Sequence, residues 1–272
     1  MKNKICFVKM VASGNDFVVM ESHQFSRSQS YKMLAKKVCD RKFGIGADGL
    51  LLLEKSKRAD VRMRIFNADG SEAEMCGNGA RGTALCQAAK SGSRKGRNLK
   101  IETKAGIIEA QVDKSSARIK LTSSHSLKID LPIKVSGRIL HVNFIDTGVP
   151  HTVIFVEGLD KIDVNNLGRE IRYHKAFAPK GTNVNFIEVL SRDSIAIRTY
   201  ERGVEGETLA CGTGSSAAAL IFALKANIND KVNVYTKSGE ILKVFFERLG
   251  NDFKNVWLEG KARIVCKGEY YV

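Results

Sequence analysis

The sequence predicts an α+β protein of two pseudo-symmetric domains, each a curved, mostly antiparallel sheet or barrel around a central helix. Three observations lead to this prediction. Short segments rich in Val, Ile and Phe are numerous, as is typical of strands. Helical segments are few, and two of them follow a Cys-Gly-polar-Gly motif. That motif occurs once in each half of the chain, among other landmarks that also recur. The first two observations indicate mixed α and β structure, and the third indicates duplication.

The duplication rests on four landmarks that recur in the same order. The pairs are Ser13-Gly14 with Thr147-Gly148, Arg64–Asn67 with Arg198–Glu201, Met75–Ala80 with Ala210–Ser215, and Thr103–Gly106 with Thr236–Gly239. The offset is 134 residues for the first pair (147 − 13), 135 for the cysteines (211 − 76) and 133 for the last (236 − 103). A period of this length is far longer than that of a solenoid and indicates a doubled domain.

The 272 residues suit two domains that each have their own core. We expect an N-terminal half, 1–127, carrying Cys76 and a C-terminal half, 128–272, carrying Cys211. The join is predicted near 124–138, around Pro132 and Gly137. The last strand, about 264–272, is expected to pack back on the first half.

The segments within each half follow from local patterns. Residues 30–39 predict a helix with Ser30 as its N-cap and with Met33, Leu34 and Val38 on one side. Helices are also expected over 79–90, 213–226 and near 165–175. The helix after Cys211 is small and apolar nearly all round, which is typical of a buried helix. Strands are predicted at 5–10, 16–21, 50–54, 61–66, 99–103, 107–112, 117–121, 139–145, 152–156, 184–189, 194–200, 232–235, 241–246 and 255–259.

Composition excludes several classes of protein. The chain is 43% apolar and 7% aromatic, and it shows no apolar run long enough for a signal-peptide core or a membrane span. We therefore expect a cytoplasmic protein without membrane contact.

A formal net charge of +15 raises nucleic-acid binding as an alternative. The basic residues are spread out, however, with one cluster at 93–97, so a solvated basic surface and no nucleic-acid partner are expected.

The six cysteines form no Cys-x-x-Cys pair, which removes the main support for a zinc or redox motif. Without a secretion signal a disulfide framework is also not expected. We interpret Cys6, Cys39, Cys86 and Cys266 as small buried hydrophobic residues. No metal and no cofactor are predicted.

Cys76 and Cys211 differ because each directly precedes a predicted helix. Unpaired backbone N–H groups and the helix dipole at such a position favour thiolate. The amides of Gly77, Asn78, Gly212 and Thr213 could bind a substrate carboxylate. A doubled domain could bring the cysteines to opposite sides of one cleft. One thiolate would then take an α-proton while the opposite thiol delivers another, which inverts the stereocentre without a cofactor.

Longer motifs make the chain resemble the diaminopimelate epimerase family over essentially its whole length. They are Ser13–Phe17, Arg64–Ser71, Cys76–Gly79, Tyr200–Gly203, and Glu207-Thr208 leading into Ala210–Gly214. The resemblance implies a cofactor-independent enzyme that interconverts LL- and meso-diaminopimelate, in lysine and peptidoglycan precursor biosynthesis. It also implies two similar halves with the active site between them.

The resemblance assigns roles residue by residue. Cys76 and Cys211 would be the two catalytic bases, and His151 and Glu201 would tune them. The substrate-binding residues would be Asn15, Asn67, Gly77, Asn78, Asn183, Glu201, Arg202, Gly212 and Thr213. Within that set, Asn15, Asn67, Asn183 and Arg202 would hold the distal amino and carboxylate groups.

The chain departs from the family pattern in three places. Gly49 and Val149 stand where some members carry Gln and Asn near the substrate. Cys266 occupies roughly the place of a Tyr linked with dimer contacts, so a homodimer remains possible.

Three other functions stay open. A racemase or epimerase of proline, hydroxyproline or histidine would lack use for the distal residues Asn67, Asn183 and Arg202. A cysteine protease or transferase would pair Cys211 with His151 as base and would leave the Cys76 motif without a purpose. A basic nucleic-acid-binding module would show an affinity that falls steeply with salt.

Overall fold

The computed structural model describes residues 4–26, 28–92, 96–122 and 124–271. The chain divides into two compact units, Met1–Ile119 with Gly260–Val272, and Lys120–Glu259. The sequence predicts halves of 1–127 and 128–272, with the last strand on the first half. Residues 93–95 of the basic cluster at 93–97 lie outside the described residues.

Seventeen strands and four α-helices make up the described chain. In chain order they are β1 (Lys4–Ala12), β2 (Asn15–Glu21), α1 (Tyr31–Cys39), β3 (Gly49–Glu54), β4 (Val61–Asn67), β5 (Glu72–Ala73), α2 (Gly77–Lys90), β6 (Arg97–Thr103), β7 (Gly106–Asp113), β8 (Ser116–Lys120), β9 (His125–Val135), β10 (Arg138–Asp146), β11 (Pro150–Phe155), α3 (Val164–Arg172), β12 (Asn183–Ser191), β13 (Ser194–Glu201), β14 (Gly206–Thr208), α4 (Gly212–Ala226), β15 (Lys231–Thr236), β16 (Ile241–Leu249) and β17 (Asp252–Tyr271). Short 3-10 helices cover Ser22–Gln24, Leu159–Lys161 and Lys175–Phe177.

The first unit is a closed barrel. Its strands pair in the order β17, β1, β2, β3, β4, β6, β7 and β8, and β8 pairs again with β17. The pairs β2–β3 and β4–β6 are parallel, and β1–β2, β3–β4, β6–β7, β7–β8 and β1–β17 are antiparallel. Helix α2 contacts β1, β2, β3, β4, β6 and β7. It is therefore the central helix of this barrel.

Small residues allow α2 to occupy that position. Its buried residues include Ala80, Ala84 and Ala88, and a Cβ on Gly82 would lie 2.8 Å from Met10 Sδ. Strand β3 beside it is buried on both faces: Leu51 lies near Gly79 of α2, whereas the alternate residues Leu50 and Leu52 share a core cluster with α1. Side chains alternate across a strand, so α1 and α2 cover opposite faces of β3.

The second unit repeats this arrangement. Its strands pair in the order β9, β10, β11, β12, β13, β15, β16 and β17, with β11–β12 and β13–β15 parallel. Helix α4 contacts β10, β11, β12, β13, β15 and β16, and it is buried from Gly214 to Ala223. Helix α3 contacts β12, β13 and β14. As in the first unit, one helix is wrapped by a mostly antiparallel sheet.

The predicted fold class is confirmed, and the order of elements recurs. The series β1, β2, α1, β3, β4, β5, α2, β6, β7, β8 is matched by β10, β11, α3, β12, β13, β14, α4, β15, β16, β17. The four predicted helices are present as α1, α2, α3 and α4. Ser30 caps α1, and its side chain accepts from the Met33 N–H.

One segment was predicted wrongly. The expected join at 124–138 is largely strand β9, which pairs with β10 so that Pro132 lies opposite His141. Proline and alternating charges weaken the local strand signal. Positive φ angles at Ser126 (59°) and Asp130 (53°) interrupt the regular alternation further.

Two burial predictions were also wrong. Cys6 and Cys266 are exposed rather than buried. They lie on the paired strands β1 and β17. Cys6 is on the outward face of β1, next to the buried Ile5, and Cys266 belongs to a stretch of β17, 265–267, that is exposed throughout. Met33 of α1 is 53% exposed, whereas Leu34 and Val38 of the same helix are buried.

Within the described residues, no helix has both the length and the apolar composition needed to cross a bilayer.

Candidate active site

Cys76 caps the N-terminus of α2 with its own side chain. Its backbone is extended (φ −142°, ψ 121°), and its Sγ accepts a hydrogen bond from the Gly79 N–H at 3.4 Å. The thiol is half-buried. The sulfur thus takes the position that a Ser or Asp oxygen fills in most helix caps.

Cys211 caps α4 in the same way. Its backbone is again extended (φ −122°, ψ 115°), and its Sγ accepts from the Gly214 N–H at 3.4 Å. The Thr213 hydroxyl lies 3.5 Å from the sulfur. Cys211 is 8% exposed. Both sulfurs therefore lie in the first turn of a buried helix, where the dipole and the end N–H groups stabilise negative charge.

A chain of polar contacts fixes the amides of Asn78 and Asn15. The buried Arg81 donates from Nη2 to Asn78 Oδ1 at 2.6 Å. Asn78 Nδ2 donates to Asn15 Oδ1 at 2.6 Å, and Asn15 Nδ2 donates to Asp48 Oδ2 at 3.2 Å. Arginine only donates and a carboxylate only accepts, so both amide orientations are determined. Two predicted residues, Asn78 and Asn15, are thereby linked.

Asp48 belongs to a cluster of charges beside Asn15. Arg41 donates to both Asp16 and Asp48, at 2.8 Å and 2.7 Å, and Lys9 lies 2.7 Å from Asp16. Burial acts to raise the pKa of Asp16, but hydrogen bonds from Arg41 and Lys9 hold that pKa well below its usual range. The turn that carries Asn15 is therefore anchored by ionised groups. Arg81 and Asp48 were not found from the sequence, since only their long-range contacts mark them.

Asn67 lies at the end of β4, opposite Gly49 of β3. Its Nδ2 donates to Ser71 Oγ at 2.9 Å, and its side chain is exposed. A Cβ on Gly49 would lie 2.9 Å from the Phe66 carbonyl oxygen. The backbone around position 49 is thus too close for a side chain without adjustment.

In the second unit, Asn183 connects two other predicted residues. Asn183 is opposite His151 in the parallel β11–β12 register. Its Nδ2 donates to the Pro150 carbonyl at 2.9 Å, and its Oδ1 accepts from the Arg202 N–H at 2.8 Å. The Arg202 guanidinium donates to the Lys180 carbonyl at 3.2 Å. His151, Asn183 and Arg202 therefore form one group.

His151 is fully buried. Burial, and then the positive charge of Arg202, lower its pKa to about 3, so the ring is neutral at ordinary pH. Its Nδ1 lies 3.2 Å from Asn185 Nδ2.

The pKa of Glu201 is displaced upward, in the opposite direction to that of His151. Burial raises the pKa of this carboxyl, and a hydrogen bond with Thr208 opposes that effect. Glu201 lies at the end of β13, opposite Gly206 of β14.

Each unit also contains an ion-pair triad near its cysteine. Arg64 contacts Glu72 at 2.7 Å and Lys104 contacts the same Glu72 at 3.7 Å. In the second unit Arg198 and Lys237 contact Glu207 at 2.7 Å and 2.5 Å. Each triad ties a short strand, β5 or β14, to its neighbour just before the cysteine, so the two capping turns are braced alike.

Comparison with known proteins identifies the family. The model of the diaminopimelate epimerase family matches residues 7–125 and 143–265. This chain belongs to the diaminopimelate epimerase family. Curated members include the diaminopimelate epimerases of Aquifex aeolicus, 43% identical with 96% of each chain covered, and of Methanocella arvoryzae, 41% identical with 98% of this chain and 96% of that one covered. The family expected from the sequence motifs is confirmed.

Solved structures give the same fold at low identity. A phenazine biosynthesis protein of the PhzF family from Bacillus anthracis aligns with a TM-score of 0.77 at 18% identity, over 99% of both chains. A probable proline racemase from Agrobacterium radiobacter aligns with a TM-score of 0.72 at 15% identity, over 98% of this chain and 92% of that one. At these identities the likeness concerns the fold alone. Among the residues described, no group of three or more His, Cys, Asp or Glu side chains is placed to hold a metal ion.

Proposed function

We propose that the protein interconverts LL- and meso-diaminopimelate without a cofactor, with Cys76 and Cys211 as paired acid and base. The observation that carries this proposal is the repeated capping geometry. Each thiol occupies the N-cap of a buried helix and accepts an N–H bond at 3.4 Å. One thiolate removes the α-proton and the other thiol supplies a proton to the opposite face.

Two thiols suit this exchange. A free cysteine titrates near pH 8.5, so one thiol and one thiolate can coexist near neutrality after modest tuning. A second thiolate close to the first would be opposed by like-charge repulsion, and the pair would titrate as a unit.

The helix ends supply the stabilisation of the carbanion. The N–H groups of Gly77, Asn78, Gly212 and Thr213 belong to the first turns of α2 and α4. We propose that these amides hold the reacting carboxylate, since helix N-termini favour anions and fixed dipoles stabilise developing charge.

The distal amino-acid group of the substrate would be held by Asn15, Asn67, Asn183 and Arg202, with Glu201 as a further contact. The hydrogen bonds that fix the orientation of the Asn15 and Asn183 side-chain amides support this. Asn15 is oriented by Asn78 and Asp48, and Asn183 by Pro150 and Arg202. Amides fixed in advance lose little entropy on binding. His151 and Glu201, whose pKa values are displaced by burial, would tune the cysteines.

The test is substitution of each cysteine. Cys76→Ser and Cys211→Ser should each lower kcat for the conversion of LL- to meso-diaminopimelate by about 10²- to 10⁴-fold, the usual contribution of a general acid or base. Circular dichroism and thermal unfolding should show an intact fold. Chiral chromatography of the product measures the rate.

Two other cysteines provide matched controls. Cys6→Ser alters an exposed thiol, and Cys86→Ala alters a buried thiol in α2 itself. Both should retain activity within a few-fold. If either variant at Cys76 or Cys211 also retained activity, the two-base proposal would be wrong. Faster racemisation of proline than of LL-diaminopimelate would show that diaminopimelate is not the substrate.

We also propose that the enzyme works in the cytoplasm, where cysteine thiols are kept reduced. Homodimer formation stays a prediction, which light scattering on the purified protein would test.

A further inference from the structure

Asn185 of β12 is a fully buried amide that no motif indicated. Its Nδ2 donates to the Thr152 carbonyl at 3.0 Å, and its Oδ1 accepts from the Thr199 hydroxyl at 3.0 Å. A backbone carbonyl can only accept. The group facing Thr152 is therefore the NH₂, and the amide orientation is fixed.

That orientation determines the protonation of His151. The second hydrogen of Asn185 Nδ2 points to His151 Nδ1, 3.2 Å away. Nδ1 must then accept, so in the neutral ring the proton is on Nε2. Within the described part of the chain, His151 Nε2 is buried and has no hydrogen-bond partner. The Nε2–H group of His151 is thus a buried hydrogen-bond donor, and leaving such a donor unpaired costs free energy.

Asn185 also contacts the turn that carries Cys211. A Cβ on Gly214 would overlap Asn185 Oδ1 and would lie 3.3 Å from Cys211 Sγ. Gly214 is the residue whose N–H bonds the sulfur. Glycine at this position lets the first turn of α4 rest directly on the Asn185 amide. Asn185 therefore touches both the histidine and the cysteine turn.

We infer that Asn185 is a positioning residue that holds His151 as the neutral Nε2–H tautomer, so that the ring tunes the site as a hydrogen-bond donor through Nε2 and not as a base. The role in turnover rests on the proposed epimerase function. The tautomer itself does not. A base for Cys211 would need an unprotonated nitrogen open to the thiol, but Nδ1 is occupied by Asn185. This weighs against the protease or transferase mechanism considered from the sequence.

The tautomer can be measured directly. Protein labelled with ¹⁵N-histidine distinguishes Nε2–H from Nδ1–H by two-bond ¹H–¹⁵N couplings, and His151→Gln identifies the His151 signals among the five histidines. At pH 7 the wild type should show the Nε2–H pattern. Asn185→Asp places an anionic acceptor beside Nδ1 and should move the proton to Nδ1. A wild-type ring protonated on Nδ1, or on both nitrogens, would overturn the inference.

Kinetics then separates positioning from packing. Asn185→Leu should lower kcat for LL-diaminopimelate by about 10²-fold with KM changed less than threefold. The matched control is Asn143→Leu. Asn143 is also a buried amide, and it donates to the Val153 carbonyl at 3.2 Å, on the strand β11 that also carries Thr152. The control should keep both the tautomer and the activity. Asn185→Leu with wild-type kcat would refute the positioning role.

The two proposals fail differently. If the wild type did not turn over LL-diaminopimelate but showed the Nε2–H signature, the substrate would be wrong and the tautomer inference would stand. If turnover were normal but the signature were absent, the inference would fall alone.

Discussion

His151 shows how strongly burial acts on a single residue of this protein. Its side chain is fully buried, and burial, followed by the charge of Arg202, lowers its pKa to about 3. An unfolded chain would return that pKa to its ordinary value near 6.5. Folding stability must therefore depend on pH through this residue.

The sign follows from proton linkage. Between pH 3 and pH 6.5 the unfolded chain binds a proton at position 151 and the folded chain does not, so stability falls as pH falls. Between pH 7 and pH 5 the loss should be about 2 kcal/mol. Urea unfolding of the wild type at both pH values, compared with His151→Gln, measures it.

The His151→Gln variant has no titrating group at this position, so its loss between pH 7 and pH 5 should be smaller by about that amount. Equal losses in the two proteins would mean that His151 is protonated in the folded state.

At the residue scale, sequence reasoning finds what local motifs encode. Cys76 and Cys211 were identified because each motif repeats with its glycines. Arg81 and Asn185 were missed because their meaning lies in contacts across the fold: Arg81 bonds Ser13, 68 positions away, and Asn185 bonds His151, 34 positions away. The exposure of Cys6 and Cys266 likewise depends on which face of a strand is outward, which their short segments do not reveal.

At the scale of elements, the first turns of α2 and α4 are the central feature. Both are capped by sulfur and contain glycine three residues after the cysteine, at Gly79 and Gly214. The two glycines differ in surroundings. A Cβ on Gly79 would lie 3.0 Å from Leu51 Cδ2, the end of a side chain, whereas a Cβ on Gly214 would overlap the Asn185 amide.

Gly214→Ala should therefore destabilise the protein by about 1–3 kcal/mol, the typical cost of overpacking. Gly79→Ala should cost less, because Leu51 can shift slightly and alanine gains up to about 1 kcal/mol of helix propensity over glycine. Thermal or urea unfolding of both variants measures the difference. Gly79→Ala as destabilising as Gly214→Ala would contradict this account of the α4 turn.

The elements were predicted unevenly for physical reasons. Helices α1, α2 and α4 carry capping residues and periodic or uniformly small sequences, which are local signals. Strand β9 was missed because Pro132 and its alternating charges resemble a linker, and its register is set by β10 instead. The triads around Glu72 and Glu207 could have been noticed, since Arg64, Glu72 and Lys104 recur as Arg198, Glu207 and Lys237.

At the scale of the whole chain, the repeat was visible in the sequence because its offset is nearly constant. Its consequence, two units with the same order of elements, is what the structure contains. The long strand β17 was harder to foresee. It runs from Asp252 to Tyr271, and its residues from Gly260 onward belong to the first unit. The first part of β17 pairs with β16 and the last part pairs with β1. This change of partner, which the local sequence does not show, assigns the two parts to different units.

Isotope incorporation distinguishes proton exchange between two thiols and one α-carbon from exchange through a single base. LL-diaminopimelate would be incubated with the enzyme in D₂O, and substrate and product analysed by mass spectrometry and NMR at low conversion. Two bases predict one deuterium at the inverted α-carbon of the meso product, while the remaining LL substrate stays unlabelled, because the donating thiol carries solvent deuterium. Meso product that retains the proton of the substrate would contradict the account.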